Sequence, residues 1–319
     1  MSSVADYTIT AIARLTERVR ISRKLRIGVV GHGHVGAEVV RRCVALGLDV
    51  QVCDPPVADR ARDLGGFTGT DVVTAQEFQP LEVLLRDSDL LTVHVPLTDD
   101  GPHPTRGLIR AEDIMASSVK AVINTSRGGI VEALKSARLP SPPLQVIDVW
   151  ECEPTPAPVL LRSETLVMAT PHLAGYGAAA KWSASAQLIP KIAAFLKVPG
   201  PSVPTFTPPA CPPLSIRYHA RDGFPTLAGI LVALLGLEDD DRALRATAGH
   251  PPAERAAAFH RLRTTRPYRV EFAHRTARIH APASAAAATR SLTRALEACG
   301  VGEVTAAPWT PKPATTLEQ

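Results

Sequence analysis

With 319 residues, 45% hydrophobic and 21% charged, the chain has room for two domains and a substantial buried core. It holds no apolar run of the roughly 18 residues that a membrane span needs, and its N-terminus lacks a signal-peptide core. Its five scattered cysteines (Cys43, Cys53, Cys152, Cys211, Cys299) have no zinc spacing, so reduced thiols in a cytoplasmic protein are expected. The net charge of +4 comes from residues 214–305, where thirteen arginines outnumber nine acids; they are spread out and not interleaved with aromatics, which argues against a nucleic-acid surface.

In chain order, Ile9, Ile12, Leu15 and Val19 fall on one face of an N-terminal helix. Leu25 to Val30 is a short β-branched run suited to a buried strand. It opens onto Gly31, Gly33 and Gly36 in G-x-G-x-x-G spacing, and the loop with its His34 and Val35 enters an amphipathic helix that ends near Leu46. A second strand, Val50 to Cys53, closes on Asp54. The first glycine allows a tight turn, the second lets backbone approach a pyrophosphate, and the third lets helix pack on strand. The helix N-terminus offers free amides to the anion. Asp54, 18 residues past Gly36, is placed to accept hydrogen bonds from the adenosine ribose and to repel a 2′-phosphate, so NAD is the expected cofactor.

Further apolar runs recur at α/β spacing: Asp89 to Val95, Lys120 to Asn124, Leu144 to Val149 and Thr165 to Ala169 read as buried parallel strands. The expected fold is a Rossmann-type doubly wound parallel sheet plus a small α+β C-terminal module. A helix is expected over Ala178 to Lys197, kinked or broken at Pro190. Val198 to Pro213 carries seven prolines in 16 residues and predicts a semi-rigid linker. Beyond it, Thr226 to Leu237 reads as helix, Tyr268 to Ile279 as strand and Ser284 to Cys299 as helix, before a disordered tail.

Ligands of open parallel sheets bind past the carboxyl ends of the strands, and three strand ends here carry reactive side chains. "INTSRGG" presents Arg127, "IDVWECEP" presents Asp148 and Glu153, and "ATPHLAGY" presents His172 and Tyr176. Moving a hydride from an alcohol to nicotinamide needs a base for the hydroxyl proton, a carboxylate to fix that base's tautomer, and a guanidinium to hold a substrate carboxylate.

These motifs, with "HVPLT" and "SRGG", resemble the D-isomer-specific 2-hydroxy-acid dehydrogenase family. "CDPPVADR", "DGPHPT", "DVWECEP", "PHLAGY" and "RALRATAGHPP" are similar to its erythronate-4-phosphate dehydrogenase branch, which serves pyridoxal phosphate synthesis. The resemblance implies a catalytic set of Arg127, Glu153 and His172. It implies NAD contacts at Asp54, Val95, Asp148 and Gly175, substrate contacts at Arg127 and Tyr176, no metal, and a homodimer through residues 214–305. It also implies the following division: residues 1–24 a crossover helix left from a substrate domain, 25–175 the NAD-binding domain, 176–197 a return helix, 198–213 the linker, 214–305 the dimerisation-like module and 306–319 the tail. On this resemblance, the family's N-terminal half of the substrate domain is expected to lack a counterpart in these 319 residues. Three functions therefore stand open: an NAD-dependent oxidoreductase of a phosphorylated 2-hydroxy acid, a non-catalytic NAD(H)-binding protein, and a diverged NAD-linked enzyme whose open face is closed by the arginine-rich module or a partner.

Overall fold

Apolar runs of four or five residues have no polar face to give to water, so they pair where both sides can be covered. In the computed structural model, which describes residues 2–19, 21, 23–63, 78–134 and 142–308, six such runs form one parallel sheet. They are β1 (Arg26–Val30), β2 (Asp49–Cys53), β3 (Leu90–Val93), β4 (Ala121–Asn124), β5 (Leu144–Ile147) and β6 (Leu166–Ala169), in the order β2-β1-β3-β4-β5-β6. Phe78 adds a single parallel bridge to Val52 outside β2. The chain reverses direction across the sheet between β1 and β3, so the crevice for a ligand opens at their carboxyl ends.

Helices cover the sheet: α1 (Ser2–Thr16), α2 (His34–Ala45), α3 (Pro55–Asp63), α4 (Leu81–Asp87), α5 (Ala111–Met115) and α6 (Pro158–Leu161). After β6 come α7 (Ala178–Leu196), β7 (Leu214–Arg217), α8 (Leu227–Leu235), α9 (Leu237–Ala246), α10 (Pro252–Thr264), β8 (Thr276–Ala281), α11 (Ala286–Ala298) and β9 (Glu303–Pro308). The last three strands form a second parallel sheet, β7-β8-β9.

The sequence offered α1 one apolar face, yet the helix is buried almost all round. Ile9, Ile12 and Leu15 share a core with Val39, Val40 and Cys43 of α2 and with Ile230, Leu231 and Leu234 of α8. Its buried Thr8 and Thr10 satisfy their hydroxyls within the helix, on the carbonyls of Val4 and Asp6 at 2.8 Å each. The C-terminal module is thus built into the core of the nucleotide-binding layer. It also covers the free edge of β6. Asp241 of α9 accepts the Ala169 N–H at 2.6 Å, and Arg245 donates to the carbonyls of Leu161 and Leu166.

Two local expectations are corrected, and at Pro190 the break, though not the kink, is removed. Helix α7 runs unbroken through Pro190, on an exposed stretch where water can take the carbonyl that proline leaves without a donor. Tyr268 to Ile279 is not one strand: a 3-10 turn at Phe272–His274 precedes β8. The reason is that Phe272 is pulled into the core, with its N–H on Asp6 at 2.8 Å. Strand β9 continues to Pro308, into the segment expected as tail, because Ala306, Ala307 and Pro308 pair with β8. Residues 309–319 of that expected tail lie outside the described residues.

Candidate active site

The turn after β1 is shaped by what its glycines exclude. Gly31 has φ +97°, and a Cβ there would lie 2.5 Å from the His94 carbonyl oxygen and 2.8 Å from Val95 Cγ1. A Cβ on Gly36 would sit 1.9 Å from the Gly31 oxygen, whereas one on Gly33 meets nothing within 4 Å and would stand in the open space above the loop. Gly33 caps α2 without a side-chain acceptor, so the amides of the first turn, from His34 and Val35, remain for an anion. At the end of β2, Asp54 accepts the His32 N–H at 2.6 Å and the Val57 N–H at 3.0 Å, and so holds the loop against the strand. Burial pushes the His94 imidazole, bonded to Thr92 Oγ1 at 3.0 Å, down to about 3, leaving an uncharged wall under the turn. This open glycine turn with unused amides and an adjacent acid fits a dinucleotide.

Across the crevice, His172 Nδ1 lies 2.9 Å from Glu153 Oε2, with the two side chains 27% and 26% exposed, enough to meet a ligand. Glu153 accepts the Trp150 N–H through its other oxygen at 3.0 Å. Burial alone would raise its carboxyl. The bonds from His172 and Trp150 and the charges of His172 and Arg263 outweigh that and hold it below the usual carboxylate range. Since an ionised carboxylate only accepts, Nδ1 donates in this contact, and Nε2 is the ring nitrogen turned away from Glu153. His172 is held at φ 57°, rare for a residue with a side chain, by its own N–H on the carbonyls of Asp148 and Thr170.

Arg127 follows β4 and is exposed, its Nη1 donating to the Ser126 carbonyl at 2.7 Å. Its carbonyl takes the Asn124 amide at 3.1 Å. A Cβ on Gly128 would be 2.0 Å from the Trp150 oxygen, so the Arg127 loop packs directly on the backbone that carries Glu153. No direct contact joins Arg127 to the dyad among the described residues.

Residues 12–174 match the family model for the NAD-binding domain of D-isomer-specific 2-hydroxyacid dehydrogenases. The chain belongs to that family. It is 33% identical over 280 residues to the erythronate-4-phosphate dehydrogenase of Marinobacter nauticus, covering 84% of this chain and 68% of that enzyme. The Salinibacter ruber enzyme of the same name is 40% identical over 179 residues, 54% of this chain and 43% of the enzyme. The chain thus spans about two thirds of the length of the first of these relatives and less of the second. Among solved structures, the glyoxylate/hydroxypyruvate reductase of Sinorhizobium meliloti, in complex with NADP and malonate, has 20% identity and a TM-score of 0.48, covering 61% of this chain and 64% of that one. As a member of this family, the chain is an NAD-dependent dehydrogenase of the CH–OH group of hydroxy acids.

Of the residues that the resemblance singles out, Glu153 and His172 lie in contact, and Asp148 is tied into the loop that follows β6. Asp148 is buried, with Oδ1 taking the Thr170 hydroxyl at 2.6 Å and the Leu173 N–H at 2.7 Å, and Oδ2 taking the Ala174 N–H at 3.0 Å. Burial raises its carboxyl in spite of these bonds. These bonds tie it to the loop that carries His172 and Gly175. Helix α1 supports the same loop: Tyr7 Oη meets Thr170 Oγ1 at 2.6 Å, and Ser3 Oγ donates to the Ala174 carbonyl at 2.7 Å. Sequence reasoning missed Tyr7 and Ser3, whose signal is confined to their turn of α1. It also missed Arg263 of α10, whose Nη2 donates to Tyr176 Oη at 2.9 Å. Replacing Asp54 by Ala is expected to weaken NAD binding and to narrow the gap between NAD and NADP affinities; unchanged values for both, by titration calorimetry, would leave Asp54 as a turn residue only.

Proposed function

We propose that this chain is a dehydrogenase of a phosphorylated 2-hydroxy acid, of the kind that the relatives' name specifies, 4-phosphoerythronate. The observation that carries the reading is the 2.9 Å contact between His172 and Glu153, set at strand ends opposite an open dinucleotide turn. The turn at Gly31, Gly33 and Gly36, with Asp54, would hold NAD, which supplies the hydride acceptor. Nε2 of His172 takes the proton of the substrate's C2 hydroxyl as its hydride leaves, giving the 2-oxo acid. Glu153 keeps the imidazole turned and stabilises the imidazolium. Arg127, with its guanidinium exposed beside the dyad's backbone, holds the substrate carboxylate and polarises the reacting oxygen.

His172→Asn is expected to lower turnover by roughly 10²–10⁴-fold while sparing NAD affinity. Arg127→Lys is also expected to be severe, because an ammonium cannot reproduce the planar fork. Steady-state assay by NADH absorbance checks both, and near-normal turnover in either variant contradicts the assignment.

The same reading places the protein in the cytoplasm, supported by its dispersed, unpaired cysteines. It also makes the protein a homodimer through residues 214–305, supported by the resemblance of that module to a dimerisation domain. Light scattering of the intact chain at micromolar concentration is expected to give twice the monomer mass; a monomer would remove the proposal.

A further inference from the structure

Several arginines of the C-terminal module are neutralised by its own acids: Arg266 and Arg269 share Asp240, Arg245 takes Asp241, and Arg242 takes Asp239. Arg263, in the last turn of α10, makes no ion pair among the described residues. Its Nη2 donates to Tyr176 Oη at 2.9 Å, and its buried Nε has no hydrogen-bond partner. Its guanidinium carbon lies 5.3 Å from the Tyr176 ring centroid and 5.9 Å from that of Phe259, one turn back on α10. A phenol and two aromatic rings hold this cation, and no bonded carboxylate cancels its charge.

Three observations bring that charge to the dyad. Phe259 is fully buried in one apolar cluster with Trp150, whose N–H Glu153 accepts, so α10 and the dyad rest on the same support. Tyr176 sits four residues after His172 on the same loop, with its N–H on the Leu173 carbonyl at 2.9 Å. Glu153 itself registers the arginine: burial would raise its carboxyl, and the bond and charge of His172, the Trp150 N–H and the charge of Arg263 together bring it down. The other cation on the Tyr176 ring is Lys181 of α7, with Nζ 4.1 Å from the centroid. The hydroxyl of Tyr176 is fixed as well. Because Arg263 donates to Oη, the phenol oxygen is the acceptor there and its own proton points elsewhere. Among the described residues no second hydrogen bond uses that proton, and the cation polarises the phenol into a better donor.

We propose that Arg263 is a positioning residue of the dehydrogenase site, supplied by the C-terminal module: it fixes Tyr176 as a hydrogen-bond donor to the substrate and brings a positive charge to bear on the His172–Glu153 pair. This rests on the dehydrogenase reading above and deepens it. Arg263 acts through Tyr176 and Glu153 and not on the reacting atoms. A nearby cation makes it harder for the pair to gain a proton. Loss of Arg263 therefore moves protonation of the pair to higher pH. Oxidation of an alcohol needs the pair unprotonated, so the variant loses its rate at a higher pH as the solution is acidified.

Two readouts on the full chain test it. The first is carbon-13 NMR of the Glu153 carboxyl, assigned with Glu153→Gln, and it needs no turnover. The carboxyl is expected to titrate at higher pH in Arg263→Gln than in the unaltered chain, and Arg263→Lys, which keeps the charge, is expected to shift it less. The second is steady-state NADH formation from 4-phospho-D-erythronate and NAD. Arg263→Gln and Tyr176→Phe should each lower kcat/KM by roughly ten-fold, the scale of one charge-assisted hydrogen bond. The double variant should lose far less than the product of the two, because both substitutions remove the same bond. The acid limb of the pH profile should move to higher pH in Arg263→Gln. An arginine that only pinned α10 in place would lower the melting temperature and leave the Glu153 titration and the acid limb where they were. An unmoved Glu153 titration, or losses that multiply in the double variant, overturns the proposal. Failure of the dehydrogenase reading shows separately, as no NADH formed by the unaltered chain, and the Glu153 titration then decides alone.

Discussion

One guanidinium holds the two halves of this chain together. Arg42 of α2 is 3% exposed and donates Nη1 to Asp6 Oδ1 at 2.6 Å and to the Cys299 carbonyl at 2.8 Å, while its Nε bonds Glu38 at 2.7 Å. Asp6 gives its other oxygen to the Phe272 N–H. The N-terminal helix, the helix of the dinucleotide turn and two points of the C-terminal module thus meet at one ion pair. Burial raises the Asp6 carboxyl and the Arg42 charge opposes that. Taking both charges out of water costs several kcal/mol per ion, so the arrangement holds only because every bond is made, and loss of one partner alone costs about 3–5 kcal/mol. Gly300, at φ +92°, is part of the same fit, since a Cβ there would come 3.0 Å from the Arg42 guanidinium carbon.

The site inherits its geometry from this junction. Helix α1, fixed by Asp6, presents Tyr7 and Ser3 to the loop bonded to Asp148, and that loop keeps His172 at a backbone angle it would not adopt alone. The residue next to Phe272, Glu271, caps α7 and with Arg269 sets Tyr176. Helix α2, fixed by Arg42, starts at the glycine turn with its first amides uncapped by any side chain. The glycine turn, the His172–Glu153 pair and Tyr176 are all set by one core.

Much of this was legible where a residue's job is local. The glycines of the turn answer to clashes within a few residues, and the parallel strands to their unbroken apolar runs. Glu153 and His172 were marked as reactive side chains at strand ends, and they lie in contact. What depends on docking was not legible. That Asp148 is buried under the loop, holding the Thr170 hydroxyl and the Leu173 and Ala174 amides, has no sequence pattern behind it. The alternation from Tyr268 to Ile279 mimics a strand because Arg269, Glu271 and Phe272 each answer to a different distant partner. Arg263 lies 87 residues from the tyrosine it bonds, and no spacing rule connects them. The proline-rich segment read as a spacer, and its Phe206 packs with tilted rings against Trp182 of α7 and His274, at 5.7 and 5.3 Å.

The nucleotide-binding layer and the C-terminal module share one core and together hold the glycine turn and the His172–Glu153 pair. Differential scanning calorimetry of the intact chain, with and without NADH, tests it most directly. A ligand that binds only the folded state raises the stability of every part that unfolds with its site. The account predicts a single unfolding transition that moves upward as a whole with NADH. Two transitions, of which NADH moves only one, would contradict it.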